Sequence, residues 1–116
     1  MRDDRVYLGL IAESISLVEQ YVADQEGKPS QSIFAEDVLR QDAVLRRMEI
    51  LSDAASHLSD ELKARHPTIP WRRISDFRNV LAHAYLHLQL DRIWRTVVND
   101  LPLLKSVTQQ DLADQQ

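Results

Sequence analysis

Residues 37–65 read DVLRQDAVLRRMEILSDAASHLSDELKAR, and the spacing of their apolar side chains decides the fold class. Val44, Met48, Leu51, Ala55, Leu58 and Leu62 step 4-3-4-3-4, and Leu45 and Ala54 widen the stripe. That period belongs to the α-helix, so the segment predicts one long helix from Asp37 to Arg65 with a single apolar face. A face of this kind packs on neighbouring helices at a shallow angle. His66-Pro67 stops it, because proline disfavours helical geometry in the residue before it.

Working outward, Leu8, Ile11, Ile15, Val18 and Val22 step 3-4-3-4 and predict a first helix over about Asp3 to Asp24. The breakers Gly27 and Pro29 end it, and a short helical turn is expected near Ile33 to Glu36. Downstream, Pro70 suits the first position of a new helix, where its missing N–H is no loss. That helix is expected to run from Trp71 to about Tyr85. Another begins near Leu90 and carries Ile93, Trp94 and Val97, with Pro102 near its end or at the start of a last turn. The polar stretch Gln109 to Gln116 is expected to fray. The sum is an all-α, up-and-down bundle of about five helices in a single domain, residues 1–116.

Composition narrows the class. The chain has 116 residues, 44 % of them apolar and 28 % charged, the balance of a globular protein rather than a disordered one. Only 2 Gly and 4 Pro leave few places for tight hairpins. No apolar run is long enough to span a membrane. The start Met1-Arg2-Asp3-Asp4 lacks the apolar core of a signal peptide. With no cysteine, disulfides and thiolate metal sites are excluded. A cytoplasmic protein without a membrane partner is therefore expected. The net charge of −4 argues against a polyanionic partner. From Asp60 to Arg78, however, five basic residues face three acidic ones, and a local excess can steer a polyanion when it lines a cleft.

The stretch that asks for chemistry is Arg78-Asn79-Val80-Leu81-Ala82-His83-Ala84-Tyr85. Arginine supplies a rigid positive fork for phosphate oxygens, and histidine gives and takes protons near neutral pH. Plainer readings stand beside that one. Tyr85 falls on the stripe of Trp71, Ile74 and Leu81 and suits a core tyrosine with its hydroxyl at the rim. Arg78 suits a buried arginine paired with Asp53 or Asp76. His83 and His87 have a zinc-like spacing but no evident third ligand. His57 and His66 read as surface residues, and Trp71 and Trp94 as core or dimer-contact anchors. On a straight helix Arg78 and His83 lie about 140° apart, so either the arginine reaches round or the helix loosens near His83.

Arg78, His83 and Tyr85 in the order Arg, four residues, His, one residue, Tyr resemble the signature of the HEPN superfamily, in its branch of HepT-like toxins. Three further segments are similar to that branch. Asp42 to Leu51 matches its long helix, His66-Pro67-Thr68-Ile69-Pro70-Trp71 its interhelix turn, and Leu90 to Leu104 its closing helices. The resemblance covers roughly residues 3 to 108. It implies a homodimeric helical bundle and a metal-independent endoribonuclease acting as the toxin of a type VII-like toxin–antitoxin system. The implied partners are RNA and a minimal nucleotidyltransferase antitoxin that AMPylates the motif tyrosine. Carried over by position, Arg78 and His83 become the catalytic pair and Tyr85 the AMPylation site. Asn79 and Asp53 become supporting residues, and Arg72, Arg73 and His87 further RNA contacts, with no metal and no cofactor. The implied products are a 2′,3′-cyclic phosphate and a 5′-hydroxyl. Two positions depart from the pattern. Ser52-Asp53-Ala54 stands where the family tends to have Gly-Glu-Ala, and His87 where it has glycine. A competing reading is a non-catalytic helical module that binds a nucleotidyltransferase and helps recruit its substrate; a third is a plain dimeric scaffold.

Overall fold

Helix α1 (Asp4–Val22) opens on Asp3, whose carboxylate accepts the backbone N–H of Arg5 at 2.9 Å. The Arg5 guanidinium, hydrogen-bonded to the same carboxylate, together with that N–H holds the Asp3 carboxyl below its ordinary value. A computed structural model of the chain describes residues 3–82 and 90–114. All five stripe residues of α1, from Leu8 to Val22, are buried in one contiguous core. The turn that follows is built by Asp24, whose Oδ1 accepts the N–H groups of Glu26 and Lys28, both at 2.9 Å. Gly27 sits in this turn at φ +81, the left-handed region where a side chain is strained. A single antiparallel bridge joins Ala23 to Pro29.

Ser30 then caps α2 (Gln31–Glu36), and Asp37 caps α3 (Val38–Ser56). Each side-chain oxygen accepts an N–H that the first turn leaves without a helical partner. The predicted helix of residues 37–65 is in fact two. After α3 the chain turns at His57–Ser59 and restarts as α4 (Asp60–Arg65). Ser59 caps α4 by accepting the N–H of Leu62 at 3.2 Å. Asp4, at the start of α1, accepts both the N–H of Ser59 (2.9 Å) and its hydroxyl (2.6 Å). These bonds replace the helical ladder at the joint, while Leu58 and Leu62 stay buried on either side of it.

The predicted helix from Trp71 is also interrupted. It divides at Phe77 into α5 (Trp71–Asp76) and α6 (Arg78–Ala82). Trp71 donates its indole N–H to the carbonyls of Lys63 (3.2 Å) and His66 (3.0 Å), which closes the end of α4. Helix α7 covers Leu90–Asn99 and carries Ile93, Trp94 and Val97, and α8 (Leu101–Asp114) carries Pro102 in its first turn. The described residues thus hold eight helical segments rather than about five, because two expected helices are broken. They are all-helical apart from turns and the one bridge.

Residues 109–114 form the last turns of α8, where fraying was expected. Asp111 is buried, 3.0 Å from Nε2 of His66 and 3.5 Å from the Arg65 guanidinium. This also corrects the expectation for His66, whose ring is largely covered. Helix α1 lies along both α3 and α8, and α3 also packs on α5 and α6. The rings of Phe34 and Trp94 stack at 5.7 Å and tie α2 to α7. Among the described residues no helix is long and apolar enough to cross a membrane.

Candidate active site

Helix α3 has a second stripe beside its apolar one. Arg46, Glu49, Ile50 and Asp53 follow the 3.6-residue period along one edge. This edge forms a wall of a groove of about 570 Å³. Tyr7 and Leu10 of α1 form another wall, and Arg78, Leu81 and Ala82 of α6 the third. The volume is that of a small-molecule or nucleotide-sized site. Arg46 pairs with Glu49 at 3.7 Å on its rim.

Because the helix breaks at Phe77, Arg78 starts a new segment, and its side chain is 64 % exposed. This corrects the reading of a buried arginine. Its Nη1 lies 3.9 Å from Oδ1 of Asp53, whose side chain is 57 % exposed. An exposed pair at that distance contributes roughly 0–1 kcal/mol, so an incoming anion can displace it. Asp53 also lies 3.8 Å from Nε2 of His57. The His57 ring stacks on Tyr7 with centroids 5.1 Å apart and planes 29° from parallel. His57 thus packs on Tyr7 and sits beside Asp53, two residues of the groove lining, and is not a bare surface residue.

The other expected site residues fall in different places. Asn79 is exposed next to Arg78. Arg72 is exposed and 3.7 Å from Asp76, away from the groove. Arg73 turns to the opposite side and donates to Asp100 at 2.7 Å. His83, Tyr85 and His87 lie outside the described residues. Ser52, at the position where the resembling family has glycine, is buried, and its hydroxyl has no hydrogen-bond partner among the described residues.

The family described as Ribonuclease HepT-like matches residues 11–110. The chain belongs to that family. A protein of Thermococcus cleftensis named "Probable ribonuclease HepT" is 36% identical over 108 residues, which is 90% of this chain and 91% of that protein. A Methanocaldococcus jannaschii protein named "Gamma-glutamylcyclotransferase and putative RNase" is also 36% identical, over 104 residues. The chain spans only 45% of that second relative's length. No solved structure matches.

In this HepT-like chain the α3 edge was open to a sequence reading. Arg46, Glu49 and Asp53 repeat at helical spacing next to the apolar stripe, so they had to share a face. Tyr7 and His57 carried no such signal. Their meeting depends on α1 crossing the end of α3, which the spacing of neither helix reveals.

Proposed function

We propose that this chain is a metal-independent endoribonuclease. It would be the toxin of a type VII-like pair, neutralised by a nucleotidyltransferase that attaches AMP to Tyr85. The observation that carries the reading is the exposed, weakly held Arg78 on an open groove, in a chain of the Ribonuclease HepT-like family. The names of the two relatives point the same way.

RNA brings its own nucleophile, the 2′-hydroxyl. The protein has to take that proton, protonate the departing 5′-oxygen and stabilise the charge on the phosphorane. Arg78 offers its guanidinium to the non-bridging oxygens, where charge builds in the transition state. His83 serves the proton transfers. One chain has one motif histidine, so two copies share the work: one His83 acts as base and its counterpart as acid. Exposed Val6 and Leu10, one turn apart on α1 beside the groove, offer apolar surface for a second copy to cover. The products are a 2′,3′-cyclic phosphate and a 5′-hydroxyl. AMP on Tyr85 adds negative charge and bulk and repels RNA, as phosphorylation does.

The test is His83→Ala. RNA cleavage is expected to vanish while the circular dichroism spectrum and the sedimentation of the dimer stay unchanged. Cleavage that survives the substitution overturns the catalytic role and leaves a module that docks a nucleotidyltransferase.

A further inference from the structure

A second pocket, of about 290 Å³, reaches the α5–α6 joint at Phe77. Phe77 lines this pocket and Arg78 lines the groove, so adjacent residues separate the two. Its wall is one face of α7, where Arg92, Arg95, Thr96 and Asn99 follow helical spacing. Arg73 of α5 and Asp100 at the α7–α8 corner complete it.

Its charge is unbalanced. Three guanidiniums line it against one carboxylate, in a chain whose net charge is −4. Asp100 is buried and engaged by Arg73 at 2.7 Å. Among the described residues neither Arg92 nor Arg95 pairs with a carboxylate. The Nε of Arg95 is spent on the carbonyl of Asp91 at 3.4 Å, which anchors the stem and leaves the terminal nitrogens free to turn to the pocket. Asp91, the acidic residue of the first turn of α7, is not part of the lining.

We infer that the Arg92–Arg95 face is a phosphate subsite that holds a backbone phosphate of the RNA strand whose scissile linkage lies in the Arg78 groove. The inference rests on the nuclease reading and extends it, by giving the strand a second hold across the α5–α6 ridge. Arginine is suited to that hold because its fork takes two phosphate oxygens at once. A hold on a neighbouring phosphate positions the strand and carries no base preference.

The experiment measures binding of a fluorescent 2′-O-methyl RNA oligonucleotide by anisotropy across a salt series. That ligand lacks the nucleophile and stays intact. The double variant Arg92→Ala/Arg95→Ala is expected to bind on the order of tenfold more weakly at low salt. Losing one single-strand phosphate contact flattens the slope of log affinity against log salt by about 0.7. The variant Arg92→Lys/Arg95→Lys keeps the charges and is expected to restore the slope. Both side chains are exposed, so the fold is unaffected, and circular dichroism checks this. Unchanged affinity and slope in the alanine variant overturn the subsite. If the unaltered chain still cleaves unmethylated RNA in parallel, the nuclease reading survives that failure. If the unaltered chain neither binds nor cleaves, both fall. Displacement of the oligonucleotide by equimolar ATP overturns the strand assignment in favour of a free nucleotide.

Discussion

Arg78 keeps its charge in the open, and that decides what it can contribute. Its partner Asp53 stands 3.9 Å away with both side chains more than half exposed, so their attraction is screened and easily exchanged. A guanidinium that was locked to a buried carboxylate would be unavailable to phosphate. Arg78→Ala is therefore expected to lower RNA cleavage by about 10²–10³-fold, the cost of removing one transition-state donor. Arg78→Lys should fall between, since it keeps the charge and loses the fork. Initial rates on a quenched fluorescent RNA read both. The family was legible in the motif and the segments around it, and the Ribonuclease HepT-like match over residues 11–110 agrees with that resemblance. What hid from a linear reading was the setting of Arg78. The spacing predicts one helix from Trp71 onward, and only the break at Phe77 shows that the segment carrying Arg78 starts afresh.

At the scale of elements, the apolar periods were informative and the breaks were not. Stripes persist because burial of Leu8, Val44 or Leu62 depends on which face they occupy, and that is a local property of spacing. The α3–α4 joint depends instead on Asp4, 55 residues from Ser59 in sequence. Ser59-Asp60-Glu61 does carry a helix-start pattern, a serine followed by acids, but the unbroken stripe from Leu58 to Leu62 outweighs it on paper. The joint is open to a double-mutant cycle. Ser59→Ala removes a cap and is expected to cost about 1 kcal/mol. Asp4→Ala removes two accepted hydrogen bonds, each worth about 0.5–1.5 kcal/mol. The pair should couple by at least 0.5 kcal/mol, roughly the lower bound for residues in direct contact. Urea denaturation of the four proteins measures it, and strict additivity would show that the joint is set by something else.

For the molecule as a whole, the polar end of α8 acts as a fastener. Composition alone makes residues 109–114 look dispensable, because a reading by polarity has no way to know that a distant His66 waits for Asp111. Burying a carboxylate is costly unless it is paired, and this one meets the His66 ring and the Arg65 guanidinium. Asp111→Ala strands those partners and is expected to lower the unfolding free energy by about 1–3 kcal/mol, read from the urea midpoint. The same closure sets an order of events during synthesis. Helix α1 is made first, yet it is covered along its length only when α8 arrives, and Lys105 reaches Glu19 at 3.0 Å across that late contact. A nascent chain halted at Asn99 would carry the Arg78 groove's walls without the helix that clamps them. Ribosome-bound intermediates should stay pliable, and the groove should harden only as translation nears completion.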